Sequence, residues 1–224
     1  MSLDWLATGG LIVSCQAPAD SPLHGPVFMA AMARAAEQAG AIAIRAEGVA
    51  DVAAIRAAVK LPIIGIRKRP HPDFEVVITP GLADVAELLA AGADMVALDA
   101  TPRARDGEPL PELVQGIKAR WNCAVMADVA TSEQGARAAA LGCGVVATTL
   151  SGYTADSPRM DGPDLDLVAR LATRLRVPVV AEGRFTTPEE VRRARALGAR
   201  AVVVGTAITN PRDTARRFVA GATP

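Results

Sequence analysis

Cysteine and histidine are scarce in this chain. Three cysteines, Cys15, Cys123 and Cys143, are too few for a disulfide framework and have no metal-ligand spacing. They read as small apolar packing residues in a reducing compartment. The two histidines, His24 and His71, fall in expected loops, and no His/Asp/Glu set is spaced to ligate, so metal catalysis is not expected. Neither Ser14, Ser151 nor Cys15 has a histidine base at a neighbouring strand end, which argues against nucleophilic triads. An excess of one charge is missing too: 24 Lys+Arg face 24 Asp+Glu, giving no bulk field for nucleic acid or an anionic membrane. Any anion must be held locally. No stretch approaches 18 uninterrupted apolar residues, and no basic segment followed by an apolar run opens the chain, so a soluble cytoplasmic protein is expected. No GxGxxG follows the first apolar segment, which counts against a dinucleotide-binding fold.

What is present is a repeat. Gln38-Ala-Gly-Ala-Ile-Ala-Ile, Ala91-Gly-Ala-Asp-Met-Val-Ala-Leu, Leu141-Gly-Cys-Gly-Val-Val-Ala-Thr and Leu197-Gly-Ala-Arg-Ala-Val-Val-Val share one order: helix end, glycine, short turn, buried strand. Their glycines, Gly40, Gly92, Gly142 and Gly198, lie 50 to 56 residues apart, leaving room for a further βα unit between copies. Pro62-Ile-Ile-Gly-Ile, Cys123-Ala-Val-Met-Ala and Pro178-Val-Val-Ala fill those gaps, and Gly10-Leu-Ile-Val-Ser starts the series. The pattern predicts strands over 10–16, 41–46, 62–68, 95–100, 123–129, 145–150, 178–183 and 201–206. Helices are predicted near 26–39, 49–59, 82–91, 110–120, 132–141, 164–175, 188–197 and 211–220; Thr187, Pro188 and Glu190 form a capping signal for the seventh. Such alternation closes most naturally into a (β/α)8 TIM barrel, one domain over residues 1–224, with an open doubly wound sheet as the lesser option. Long loops after strands 3, 4 and 6 sit on the carboxyl side, where barrels place their chemistry.

Strand parity then selects residues. Ile12, Ser14 and Gln16 share a face, as do Ile64, Ile66 and Lys68, or Val180 and Glu182, while Arg45 and Asp128 oppose the bulky Ile42, Ile44, Val125 and Val129. Gln16, Arg45, Lys68, Asp128 and Glu182 are therefore expected as the last inward residues of five strands, where a purely structural barrel would place aliphatics. Glu182 could also simply pair with Arg45 or Lys68. A lysine facing a glutamate suggests proton transfer. At its ordinary pKa only about 0.1% of a lysine is neutral near pH 7.5, so desolvation and cationic neighbours would have to lower that value. Glycines closing strands 7 and 8 (Gly183, Gly205) suggest a phosphate-binding corner. Tyr153 at the mouth of strand 6 could reach a phosphate oxygen or pack over its loop.

Gly10-Leu-Ile-Val-Ser-Cys-Gln-Ala, Ile44-Arg-Ala-Glu-Gly, Pro62-Ile-Ile-Gly-Ile-Arg-Lys, Leu98-Asp-Ala-Thr, Met126-Ala-Asp, Thr148-Thr-Leu-Ser-Gly-Tyr-Thr, Ala181-Glu-Gly-Arg and Val204-Gly-Thr-Ala-Ile-Thr run in order across the whole chain. In them the chain resembles the N-acylmannosamine-6-phosphate 2-epimerases. The resemblance implies a TIM barrel that interconverts N-acetyl-D-mannosamine 6-phosphate and N-acetyl-D-glucosamine 6-phosphate in amino-sugar and sialic acid catabolism, with no metal or organic cofactor. It implies Lys68 and Glu182 as catalytic residues, and Gln16, Arg45 and Asp128 as positions that orient the acetamido and hydroxyl groups. Gly183, Gly205 and Thr206 would form the phosphate-binding turns; Arg184, beside Gly183, and Tyr153 are further candidate substrate-binding residues by position. Asn210 precedes Pro211 where an arginine is expected, and Asn210 reads equally well as an N-cap. The expected partner is a small-molecule sugar phosphate, with no nucleic acid and no membrane; a homodimer is the assembly left open. Other readings remain at this point: a pentose-phosphate 3-epimerase or thiamin-phosphate-type synthase, a Schiff-base aldolase or lyase using Lys68, and a non-catalytic sugar-phosphate sensor.

Overall fold

A computed structural model describes residues 3–222; the ends of the expected 1–224 domain lie outside the described residues. Eight parallel strands follow one another in chain order around a closed barrel. They are β1 (Gly10–Cys15), β2 (Ala43–Glu47), β3 (Ile63–Ile66), β4 (Met95–Asp99), β5 (Ala124–Asp128), β6 (Val145–Ala147), β7 (Val179–Glu182) and β8 (Ala201–Val204). β8 pairs back onto β1, so no open edge remains. The fold is a (β/α)8 TIM barrel. Its outer ring contains α2 (Pro26–Gln38), α3 (Val49–Ala58), α4 (Leu82–Ala90), α5 (Leu110–Trp121), α6 (Ser132–Leu141), α7 (Leu165–Arg174) and α8 (Pro188–Ala196), and the last described element is α10 (Pro211–Ala222).

Alternation of side chains creates two cores. Val13, Cys15, Ile44, Ile63, Val96, Leu98, Val125 and Val146 face the helices, while Ile12, Ala43, Ile64, Ile66, Met95, Met126, Val180 and Val203 fill the lumen. The parity expected from the sequence holds for β1, β3, β5 and β7. It fails ahead of β2, where Ala41 joins the helix-facing core and Ile42 packs on the luminal one. The cause is Gly40: at φ 89° it turns the chain so that the Ala41 N–H still closes α2 and the ladder begins only at Ala43. The other three repeat glycines adopt the same left-handed turn.

Thr187 caps α8 as expected, accepting the Glu190 N–H at 3.3 Å while the Glu190 carboxylate accepts the Thr187 N–H at 3.0 Å. Two short helices lie outside the expected set. α1 (Asp4–Ala7) seals the amino end of the barrel by placing Leu6 among the luminal residues. α9 (Thr206–Thr209) begins where the sequence predicts β8 to continue to Thr206. Four residues are too few for a periodic signal. The predicted strand ends overshoot at the carboxyl side generally, because residues such as Lys68, Thr149 and Gly183 leave the ladder to line the mouth.

No helix among the described residues is long and apolar enough to cross a membrane. The loop after β3 folds over part of the mouth: Thr79 N–H donates to Arg67 O at 2.7 Å, Asp99 N–H donates to Ile78 O at 3.1 Å, and Val76 bridges Arg105. The cleft that remains open is lined from the ends of β1, β2, β3, β6, β7 and β8.

Candidate functional site

The opening is a cleft of about 1170 Å³ at the carboxyl ends of the strands. Ser14, Gln16, Glu47, Lys68, Thr149, Tyr153, Glu182, Gly183, Arg184, Gly205 and Thr206 line it. Lys68 leaves the end of β3 and donates from Nζ to Gln16 Oε1 at 2.7 Å; Gln16 Nε2 in turn donates to Ser14 Oγ at 2.7 Å. The Lys68 backbone N–H donates to Glu47 Oε1 at 3.2 Å. The side chain opens to solvent within the cleft, but enclosure by the walls holds the amine below the usual lysine range. Glu47 and Glu182 oppose that shift and Arg45 adds to it.

Glu182 ends β7 from the other side of the cleft. Its Oε2 accepts from Arg45 at 2.9 Å and lies 3.2 Å from Thr149 Oγ1. Burial pushes its carboxyl up to about 7, against the pull of the Arg45 charge and with help from the negative charge of Asp128. Lys68 and Glu182 thus depart from their ordinary values in the directions that bring both toward neutrality.

Arg45 and Asp128 lie beneath this cleft, not on its wall. Arg45 is 1% exposed and grips Asp128 with two bonds, of 3.1 and 2.6 Å, while its third contact is Glu182. Asp128 also accepts from Thr149 Oγ1 at 2.6 Å. Registry explains the meeting: Arg45 stands beside Ser14 and Ile64, Asp128 beside Asp99 and Ala147, so both side chains enter the same luminal layer.

At the β7 and β8 ends, Gly183 takes φ 110° and Arg184 φ 58°, a turn that only glycine adopts freely at the first position. A Cβ on Gly205 would stand 3.3 Å from that of Ser14, so glycine here lets the strand end lie against β1. Arg184 itself is occupied: Nε donates to Gly162 O at 2.8 Å and Nη1 to Ser151 O at 2.7 Å, with the guanidinium stacked 4.9 Å from the Tyr153 ring centroid. Tyr153 is 60% exposed at the rim. Asn210 caps α10, accepting the Asp213 N–H at 3.3 Å and donating to the Asp213 carboxylate at 2.5 Å.

Gln16, Lys68, Tyr153, Glu182, Gly183, Arg184, Gly205 and Thr206, all singled out from the sequence, meet in one cleft, with Arg45 and Asp128 one layer below. Glu47 and Thr149 join them without having been expected. Both are reachable by parity, since Glu47 follows Arg45 by two on β2 and Thr149 follows Ala147 by two beyond β6. Among the described residues no group of three His, Cys, Asp or Glu is placed to hold a metal ion.

Residues 29–223 match the family model described as "Putative N-acetylmannosamine-6-phosphate epimerase". A protein of Caldanaerobacter subterraneus named "Putative N-acetylmannosamine-6-phosphate 2-epimerase" is 49% identical over 212 residues, covering 94% of this chain and 90% of its own. One of the same name from Clostridium perfringens is 49% identical over 211 residues, covering 94% and 95%. The solved structure of N-acetylmannosamine-6-phosphate 2-epimerase from Clostridium perfringens superposes with a TM-score of 0.92 at 47% identity, covering 96% of this chain and 94% of that one. Thiamine phosphate pyrophosphorylase from Pyrococcus furiosus shares the fold alone, with a TM-score of 0.65 at 17% identity. The chain belongs to the N-acetylmannosamine-6-phosphate epimerase family.

Proposed function

We propose that this barrel interconverts N-acetyl-D-mannosamine 6-phosphate and N-acetyl-D-glucosamine 6-phosphate, with Lys68 and Glu182 as its acid-base pair. The observation that carries the reading is the shared cleft: an amine held below its usual pKa and a carboxyl held above its own face a cavity that also contains Gly183, Gly205 and Thr206. Inversion at C2 breaks a C–H bond alpha to the C1 carbonyl of the open-chain sugar. One of the pair takes that proton, leaving an enolate, and the other delivers a proton to the opposite face of C2. Gln16 fixes the lysine amine, and the glycine turns receive the phosphate. Arg45 and Asp128 act through Glu182, holding one carboxylate oxygen so that the other faces substrate. The setting is amino-sugar and sialic acid catabolism in a cytoplasmic, reducing compartment, in keeping with three buried free thiols. Proton NMR of the purified protein with N-acetylmannosamine 6-phosphate in heavy water tests this: the second epimer should form with deuterium at C2. Binding without either change would make the protein a sensor.

The pair also sets a pH profile. Below the raised pKa of Glu182 both groups are protonated and no base remains; above the lowered pKa of Lys68 both are deprotonated and no acid remains. kcat/KM should therefore be bell-shaped, with its acidic limb near 7. The Thr149 hydroxyl, its one proton shared between Asp128 at 2.6 Å and Glu182 at 3.2 Å, holds that limb down. Thr149→Val should move it upward by about half a pH unit, the equivalent of one hydrogen bond of under about 1 kcal/mol. A limb that stays in place would mean it reports some other group.

We extend the proposal to a homodimer in which a second copy covers Phe218 on α10, leaving the Asp213, Thr214 and Arg217 face to the cleft. None of the twelve residues of this amphipathic helix is buried, and Phe218 is 76% exposed. Sedimentation equilibrium should give twice the 23.1 kDa chain mass; the single-chain mass at micromolar concentration would remove this extension.

A further inference from the structure

Besides its glycine-lined turns, a cleft that receives a phosphate dianion needs opposing charge. Glu47, Asp161, Glu182 and Asp213 line this one, so the deficit is real. Three lysine or arginine side chains share the lining: Lys68, Arg184 and Arg217. Lys68 donates to Gln16, and Arg184 is held by two backbone carbonyls and the Tyr153 ring. Arg217 alone of the three makes no hydrogen bond or ion pair among the described residues. Its neighbours on α10 differ: Arg212 pairs with Asp20 and Arg216 with Asp213.

The placement of Arg217 is systematic. Asn210, Asp213, Thr214 and Arg217 line the cleft together, the i, i+3, i+4, i+7 spacing of one helix face. Side chains on a helix lean toward its amino end, so the Arg217 guanidinium is carried back over the turn before it, toward α9 and the Gly205-Thr206 corner. Six residues of helix separate Arg217 from Pro211, about 9 Å along the axis, and the backward lean shortens that span. Asn210 holds the first turn of α10 in place through its cap, which fixes the direction of the whole face.

We infer that Arg217 is a ligand of the substrate phosphate, closing the anion pocket from the α10 side opposite Gly183, Gly205 and Thr206. This rests on the sugar-phosphate reading of the cleft and adds a specificity-determining residue to it. Arg217 is exposed, so its replacement leaves the fold intact.

Arg217→Ala should raise KM for N-acetylmannosamine 6-phosphate about 10- to 100-fold, the range of one charge-assisted hydrogen bond, with kcat within about twofold. Inhibition by inorganic phosphate should weaken by the same factor, while any turnover of unphosphorylated N-acetylmannosamine should not change. Arg217→Lys should restore part of the loss, and Arg192→Ala, which removes an exposed arginine paired with Glu189 on α8, should have no effect. Unchanged KM and phosphate inhibition in Arg217→Ala would overturn the inference, as would a fall in kcat at constant KM. Titration of inorganic phosphate by calorimetry separates this from the epimerase reading. Phosphate binding lost in Arg217→Ala supports Arg217 as the anion ligand even if the wild type leaves C2 untouched, and binding retained refutes it.

Discussion

Lys68→Met should abolish epimerisation, lowering kcat by at least about 10³-fold, within the range that positioned acid-base groups supply. Methionine keeps most of the side-chain volume and loses only the amine and its bond to Gln16. The magnitude follows from what the amine must do. An unperturbed lysine near pH 7.5 is neutral in only about one part in a thousand, so it is a poor base in water. In the cleft, enclosure moves it down toward the working pH, and Glu182 moves up toward the same range. Their pKa values converge, which lowers the free-energy cost of passing a proton through the substrate from one to the other. Measured by proton NMR in heavy water, Lys68→Met should show no second epimer over a time in which the wild type reaches equilibrium. Epimer formation near the wild-type rate would remove Lys68 from the reaction. Glu182→Gln should be similarly inactive, because glutamine neither accepts nor returns the proton.

Much of this geometry is legible in the sequence because barrels obey simple periods. Alternation along β3 and β7 puts Lys68 beyond Ile66, and Glu182 beyond Val180, on the luminal side, and the closed sheet brings the two ends over one cavity. Parity does not give depth. Arg45 and Asp128 have the inward parity of Lys68, yet each lies within its strand while Lys68 lies two residues past the end of β3. That difference buries Arg45 and Asp128 beneath the cleft that Lys68 lines. α9 escapes a sequence reading because its four residues carry no period, whereas Thr149 lies inside the predicted 145–150 strand with the inward parity of Ala147 and is within reach of one. The role of α10 is invisible for another reason: its residues read as an ordinary amphipathic outer helix, and only the tertiary fold places Thr214 and Arg217 against the cleft.

Arg45→Met should be the most destabilising conservative change in the barrel. The guanidinium is buried under the cleft and compensates two carboxylates, Asp128, which is fully buried, and Glu182, whose side chain is 12% exposed. Removing one partner of a buried ion pair costs about 3–5 kcal/mol, because the charge left behind loses both water and counter-ion. For a chain of this size that is a fall in Tm of roughly 10 °C. The sign of its pH dependence is fixed by Glu182. Burial already raises this carboxyl above its ordinary 4.5, and the Arg45 charge is the strongest influence holding it down. Without Arg45 its folded pKa rises further, so the variant is least impaired below pH 4.5, where the group is neutral in both states. The deficit grows as pH rises through 7, where the folded state must hold an uncompensated anion that the unfolded state hydrates. Thermal unfolding at about pH 5 and about pH 8 should therefore show a wild-type-to-variant gap that is several degrees wider at the higher pH. Adding Asp128→Asn and Glu182→Gln to Arg45→Met should recover most of the lost stability without recovering activity, since neutral amides no longer need the guanidinium. A gap that is equal at both pH values, or no recovery in the triple variant, would assign the loss to packing against luminal neighbours of this position such as Ile64, which stands beside it on β3, rather than to charge.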